Sequence, residues 1–171
     1  MAYETFRLWE ERVPGAQGTD EKDIPSITVY PAKAGSTSRP AMVVLPGGGY
    51  RFLTQHEGPA YAEWLSENGF TSFLVKYRLA VDAYRYPCML WDAARAVRWV
   101  RAHAAEYAID PLRVGRSARQ PAGICWPRWR LIMMMATRMQ PTQLSASGHA
   151  PLWACYATPC SRPIFYPRAA A

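Results

Sequence analysis

The chain has 171 residues, half of them hydrophobic, which suits one modest domain with a buried core. No apolar run is long enough to cross a membrane, and the first eleven residues carry acidic side chains without the apolar segment of a secretory signal, so we expect a cytoplasmic protein. The net charge of +7 would suit a nucleic-acid partner only if it were spread over the folded part.

The excess positive charge lies in the last third of the chain. Residues 1–115 contain 13 basic and 13 acidic side chains, whereas residues 116–171 contain seven Arg and no Asp, Glu or Lys. We therefore expect neither a nucleic-acid partner nor a membrane. The cysteines show no metal-ligand spacing, so no metal site is predicted. A Cys155–Cys160 disulfide has no other support, and inert thiols are the preferred interpretation.

Strands and helices are predicted to alternate along residues 26–115. Apolar or β-branched runs indicate strands, and apolar residues at three- and four-residue spacing indicate helices. Such alternation predicts an α/β fold, with a mostly parallel sheet and helices on both faces. The predicted strands are Ser26–Ala32, Ala41–Leu45, Thr71–Tyr77 and one that starts at Leu112, and the predicted helices are Pro59–Asn68 and Asp92–Tyr107, with Arg95, Arg98 and Arg101 on the solvated side of the second.

A glycine-rich segment, Pro46-Gly47-Gly48-Gly49-Tyr50, follows the second predicted strand. Without side chains, its backbone N–H groups can approach a ligand closely. Such donors can hold the negative oxygen of an acyl-transfer intermediate. A glycine triplet alone fits a plain turn equally well, so its context has to decide.

That context is a set of short motifs in a fixed order, and together they resemble one family. The resemblance is to the α/β-hydrolase esterases known as acetylxylan esterases, feruloyl-esterase-like proteins or endo-1,4-beta-xylanase B, and it covers about residues 3–115. The motifs are Pro14-Gly15-Ala16, Asp23-Ile24-Pro25, Pro46-Gly47-Gly48-Gly49-Tyr50, His56-Glu57-Gly58, Ala62-Glu63-Trp64-Leu65, Tyr77-Arg78-Leu79-Ala80, Tyr86-Pro87, Asp92-Ala93-Ala94-Arg95-Ala96-Val97-Arg98 and Ile109-Asp110-Pro111-Leu112-Arg113-Val114-Gly115.

The resemblance implies the N-terminal half of an α/β-hydrolase sheet and a site for a small ester or an acetylated saccharide, without a cofactor. It implies that Gly48 and Gly49 are the oxyanion donors, that Gly47 shapes the loop and that Tyr50 lines the acyl pocket. Pro46 stands where related lipases have His. His56 is a candidate for substrate contact, although a role in the loop or core is the more common one.

The resemblance stops at Gly115. The family continues with a nucleophile elbow, Gly-x-Ser-x-Gly, whose serine sits on a strained strand-to-helix turn. Here the chain has Ser117 with Arg119 two positions later, and no Gly-x-Ser-x-Gly occurs in the 171 residues. No catalytic residue is therefore assigned, because the Asp and His of the triad are not recognisable either. Three acids precede the elbow position and are interpreted as helix or turn residues: Asp82, Asp92 and Asp110.

A shift of reading frame near Gly115 would explain the change. When each new codon takes the third base of one residue and two bases of the next, Ser117 to Pro127 permits Gly-Ser-Ser-Ala-Gly-Gly-His-Leu-Leu-Ala. This is the missing elbow, and its serine arises across Arg119 and Gln120. Because every Met codon ends in G, the segment Met133–Ala136 is forced to Asp-Asp-Gly. The coding DNA tests this hypothesis.

The sequence thus divides into a truncated α/β-hydrolase domain, residues 1–115, and a non-family tail, residues 116–171, which we expect to be irregular or disordered, apart from a possible helix over Trp129–Met139. Two alternatives remain open. The Arg- and Trp-rich tail is an interaction module for nucleic acid or membrane, or Ser117 and His149 form a weak, non-standard esterase site. The oligomeric state is open.

Overall fold

The computed structural model describes residues 3–33 and 38–118. Five strands and two helices form in this part of the chain, with two short 3₁₀ turns at Glu21–Asp23 and Ala80–Asp82. The strands assemble into a single sheet in the order β1-β2-β4-β3-β5. Their bounds are β1 Glu4–Arg7, β2 Ser26–Tyr30, β3 Arg39–Leu45, β4 Thr71–Lys76 and β5 Ile109–Ala118, and the helices are α1 Pro59–Glu67 and α2 Cys88–Ala102.

Four of the five described strands run in one direction. Strand β3 pairs in parallel with β4 and with β5. Strand β2 is antiparallel to both β1 and β4, so it alone runs the other way. The predicted α/β fold with a mostly parallel sheet is confirmed, whereas β1 was not predicted because Glu4–Arg7 has too little apolar alternation to indicate a strand.

The two helices cover opposite faces of the sheet, as predicted. Neighbouring residues of a strand point to opposite faces. The Ser72 hydroxyl of β4 donates to the Ala62 carbonyl of α1 at 2.8 Å, while the next side chain, Phe73, packs edge-on against Trp99 of α2. The larger apolar cluster lies between the sheet and α2, and its fully buried members include Ile27, Val43, Phe73, Val75, Ala96 and Val100.

Helix α2 begins and ends earlier than predicted. The predicted span was Asp92–Tyr107, but the helix occupies Cys88–Ala102. Residues beyond it form turns, in which the Ile109 N–H donates to the Ala104 carbonyl at 3.0 Å. Tyr107 still contacts the core, with its ring 5.6 Å from that of Phe73. The apolar spacing therefore persisted past the helix because turn residues bury side chains against the same core.

The prediction that the α2 arginines are solvated was wrong, since Arg95, Arg98 and Arg101 are all half-buried. Arg95 donates from Nε to the Leu8 carbonyl at 2.8 Å and lies over the ring of Trp9. Leu8 and Trp9, which directly follow the unpredicted strand β1, supply the cover of Arg95. Burial and the neighbouring charge of Arg95 lower the pKa of Arg98.

Several predictions fall outside the described residues: the helix over Trp129–Met139, the Cys155–Cys160 pair, His149 and nearly all of the 116–171 tail. Strand β5 continues to Ala118, three residues past the proposed boundary at 115. Within residues 3–33 and 38–118, no helix is long and apolar enough to cross a membrane.

Candidate active site

The glycine segment lies at the carboxyl end of β3, where a ligand site is common in parallel sheets. Strands β3, β4 and β5 are parallel neighbours, so all three end at this edge. In the β3–β5 register, Leu45 is opposite Ala118. The loop Pro46–Tyr50 therefore begins directly beside the last residue of β5.

Gly47 is fixed by the loop that follows it. Its N–H donates to Glu57 Oε2 at 3.0 Å, and its carbonyl accepts from the Thr54 N–H at 3.0 Å. The Thr54 hydroxyl lies within hydrogen-bond distance of both the Gly47 carbonyl and Glu57 Oε2. Because its donor is already used, Gly47 shapes the loop and has no N–H left for a ligand.

Gly48 and Gly49 adopt backbone conformations that favour glycine, with φ of +134° and +65°. A Cβ on Gly48 would lie 2.0 Å from the Phe52 carbonyl oxygen, whereas a Cβ on Gly49 would meet nothing within 4 Å. No residue of the described ranges accepts a hydrogen bond from either N–H. Two adjacent donors at the end of β3 thus remain available, in contrast to Gly47.

Tyr50 closes the loop against the end of β4. Its φ is +58°, and its carbonyl accepts from the N–H groups of Ala80 and Val81 at 2.9 and 3.3 Å. Its ring meets Tyr77 edge-on, with the centroids 6.1 Å apart. The Tyr77 hydroxyl donates to the Pro46 carbonyl at 2.6 Å, and burial raises the pKa of that phenol far above its usual value. The loop is therefore held at both ends by the segment that follows β4.

Two further residues proposed from the sequence, His56 and Ser117, do not join these donors in a catalytic arrangement. The His56 side chain is 77% exposed, and its Nε2 lies 3.8 Å from Glu57 Oε1, so it is a surface loop residue beside the Glu57 anchor. Ser117 lies inside β5, opposite Val44, and does not sit on a strand-to-helix turn. No group of three or more His, Cys, Asp or Glu side chains with metal-site geometry occurs in the described ranges.

A buried ion pair behind the site was missed by the sequence analysis. Arg78 and Asp92 are fully buried and joined by two side-chain hydrogen bonds, of 2.9 and 2.7 Å. Burial disfavours the charged guanidinium, but the bonds and charge of Asp92 outweigh it, and the pKa of Arg78 is raised. The prediction of Asp92 as a helix residue is correct, but its carboxylate is a core group. Arg78 and Asp92 both belong to motifs of the resemblance, which could have drawn attention to them. The sequence alone does not show that the two side chains meet.

Comparison with known proteins agrees with this geometry. The sequence model of the BD-FAE family matches residues 27–118, which span the sheet from β2 to the end of β5. The chain is 34% identical over 91 residues to endo-1,4-beta-xylanase B from Butyrivibrio fibrisolvens, covering 51% of this chain and 14% of that protein. It is 38% identical over 76 residues to an acetylxylan esterase from Xylanibacter ruminicola, covering 44% and 15% respectively.

Among solved structures, an acetyl ester-xyloside bifunctional hydrolase from Caldicellulosiruptor lactoaceticus is similar, with a TM-score of 0.58 and 33% identity over 66% of this chain and 41% of that one. A thermophilic esterase from Thermogutta terrifontis has a TM-score of 0.50 and 25% identity over 61% and 40%. The chain spans about a seventh of the curated relatives and two fifths of these structures. Since the family match includes more than half of its residues, the chain belongs to the BD-FAE family of α/β-hydrolase esterases.

Proposed function

We propose that this chain carries the oxyanion-binding loop of a serine esterase without the nucleophile that would use it. The observation that supports this most directly is the contrast within the glycine triplet. Gly47 donates to Glu57, whereas the N–H groups of Gly48 and Gly49 have no acceptor among the described residues. Preorganised, unused backbone donors at the carboxyl end of a parallel strand suit a developing negative oxygen.

The chemistry would be acyl transfer. A serine attacks an ester carbonyl, a histidine takes the serine proton, and the carbonyl oxygen becomes an oxyanion. Two N–H donors stabilise that oxygen more than the neutral carbonyl, which lowers the barrier, and the loss of one such donor typically costs about 100- to 1,000-fold in rate. Tyr50, fixed against Tyr77, would line the acyl side of this site.

The substrate class follows from similarity. Relatives are an acetylxylan esterase and an acetyl ester-xyloside hydrolase. A small ester, in particular an acetylated saccharide, is therefore the proposed substrate, and this reaction needs no cofactor.

We propose that the chain itself is inactive because Ser117 is a poor substitute for an elbow serine. It lies within β5, opposite Val44, and Arg119 stands in the sequence where an elbow needs a small residue. In the alternative frame the serine would arise across Arg119 and Gln120, immediately after the strand end at Ala118 that lies beside Leu45. That position would bring a nucleophile next to the glycine loop.

An assay of p-nitrophenyl acetate hydrolysis tests this proposal. The chain and its Ser117→Ala variant should both match the uncatalysed rate. Turnover that is lost in Ser117→Ala would overturn the proposed inactivity and favour the non-standard site. The coding DNA provides the second test, because the alternative frame after codon 115 must encode Gly-Ser-Ser-Ala-Gly-Gly. The protein expressed from that frame should hydrolyse the ester, and Gly48→Ala should abolish most of its activity.

A further inference from the structure

A cavity of about 390 Å³ opens at the carboxyl end of β4, the edge of the sheet that also carries the glycine loop. This volume lies within the usual range of small-molecule sites. Its lining combines apolar or aromatic side chains with charged ones. The apolar or aromatic residues, here called the wall, are Leu53, Tyr77 and Leu79, and the charged residues, here called the rim, are Asp20, Glu21, Lys22, Lys76 and Asp82.

The residues of the cavity wall make, or lie next to residues that make, the hydrogen bonds that fix the glycine loop. Tyr77 lines the cavity and donates its hydroxyl proton to the Pro46 carbonyl. Leu53 precedes Thr54, whose N–H holds the Gly47 carbonyl. Leu79 precedes Ala80, whose N–H holds the Tyr50 carbonyl. The cavity lining therefore includes Tyr77, which fixes the glycine loop, and two residues that are chain neighbours of others that fix it.

The charges on the rim are mostly compensated. Lys76 Nζ lies 2.7 Å from Glu21 Oε1, and Lys22 Nζ lies 3.9 Å from Asp20 Oδ2. Asp82 makes no side-chain hydrogen bond or ion pair with any residue of the described ranges. The rim thus offers one unengaged carboxylate among paired charges, which suits a ligand with hydroxyl groups better than a strongly charged one.

We propose that this cavity binds one sugar unit of a saccharide substrate, with Asp82 accepting hydrogen bonds from its hydroxyl groups and Tyr77, Leu53 and Leu79 contacting its apolar face. An apolar wall beside hydroxyl acceptors matches the two kinds of surface on a pyranose ring. The choice of a sugar as ligand rests on the proposed function. The proposal extends that function by placing the alcohol part of the ester, the sugar, in this cavity. Asp82 is then a specificity-determining residue, since it contacts the sugar and takes no part in acyl transfer.

Titration of the full chain with xylotriose, followed by isothermal calorimetry, tests the proposal without any need for catalysis. Loss of a hydrogen bond to a charged group predicts that Asp82→Ala weakens binding about tenfold or more. Glu11→Ala is the matched control, because Glu11 is exposed and does not line the cavity, and it should bind like the parent chain. If circular dichroism shows that Asp82→Ala is unfolded, the isosteric Asp82→Asn replaces it.

Undetectable binding by the parent chain at millimolar xylotriose, or equal affinity of the parent and the Asp82 variant, would overturn the proposal. Failure here is distinct from failure of the proposed function. Hydrolysis of p-nitrophenyl acetate by the protein of the alternative frame involves no sugar, so it tests the esterase proposal independently of the cavity. If that hydrolysis is absent while xylotriose still binds through Asp82, the cavity assignment stands and the esterase proposal fails.

Discussion

Arg78 and Asp92 join the end of β4 to helix α2 through an ion pair in which both side chains are fully buried, with 2.7 Å between Nη2 and Oδ1. Three further groups complete the arrangement. The Arg78 Nη1 donates to the Pro14 carbonyl at 2.7 Å, Trp9 Nε1 donates to Asp92 Oδ1 at 3.3 Å, and the guanidinium lies over the ring of Tyr84. The pair therefore fastens the N-terminal segment, the sheet and α2 at one point, one residue from Tyr77.

Removing one partner of this pair should destabilise the protein strongly. Asp92→Asn leaves the Arg78 guanidinium buried without a counter-charge, and such losses typically cost about 3–5 kcal/mol. Urea denaturation followed by circular dichroism should show a midpoint far below that of the parent chain. Glu11→Gln removes one exposed carboxylate by the same chemical change and should leave the midpoint in place. Equal midpoints for the two variants would contradict a stabilising role for the pair.

The two unused donors of the glycine loop should respond differently to an added methyl group. Gly48→Ala places a Cβ 2.0 Å from the Phe52 carbonyl oxygen, so the backbone must move. Gly49→Ala meets no atom within 4 Å and costs only the left-handed conformation, about 1–2 kcal/mol. Amide NMR spectra should show widespread shifts over residues 46–54 for the first variant and local shifts for the second. Similar spectra would mean that the loop is not packed as described.

Much of this fold could be predicted because local sequence signals and tertiary structure agree. The run Ala41–Leu45 forms the last five residues of β3, and Pro59, with no N–H to lose, begins α1. Disagreement arose where distant residues decide the environment. Arg95 has the composition of a surface residue, but Leu8 and Trp9 cover it from 86 or more positions away.

The candidate site shows the same division. The glycine triplet predicted a loop with accessible N–H groups. The prediction that this loop follows a buried strand was correct. Which of the three donors is consumed depends on Glu57, ten residues later. Likewise, nothing in the spacing of Asp82 from Lys76 indicates a shared cavity, because that depends on how the 3₁₀ turn folds back on the end of β4.

The Glu57 anchor predicts a local loosening of the loop. Glu57→Ala removes the acceptor of the Gly47 N–H, so hydrogen exchange at that amide should accelerate, at least about tenfold if the bond contributes about 1.5 kcal/mol. His56→Ala changes the neighbouring, largely exposed side chain and should leave this exchange rate within error of the parent chain. An unchanged Gly47 rate in Glu57→Ala would show that the Thr54 bonds suffice to hold the loop.

Alkaline pH should unfold the protein through its buried tyrosines. Burial raises the pKa of Tyr77, and it raises the pKa of Tyr107 to about 12. An unfolded phenol ionises near pH 10. Above that pH the unfolded chain therefore binds fewer protons than the folded one, and linkage makes the free energy of unfolding fall as pH rises. The contribution of these groups is complete below pH 10 and is lost progressively as the pH rises toward and beyond 12.

Tyr77→Phe separates the two roles of that hydroxyl. At neutral pH the variant loses the hydrogen bond to the Pro46 carbonyl, which should lower the free energy of unfolding by about 1 kcal/mol. Between pH 10 and 11.5 it should lose stability less steeply than the parent chain, because one buried phenol no longer titrates. Urea denaturation at pH 7, 10 and 11.5 measures both effects. Parallel plots of unfolding free energy against pH for the two proteins would show that Tyr77 ionises in the folded state as easily as in the unfolded one. The Tyr77 hydroxyl would then not be buried against the Pro46 carbonyl.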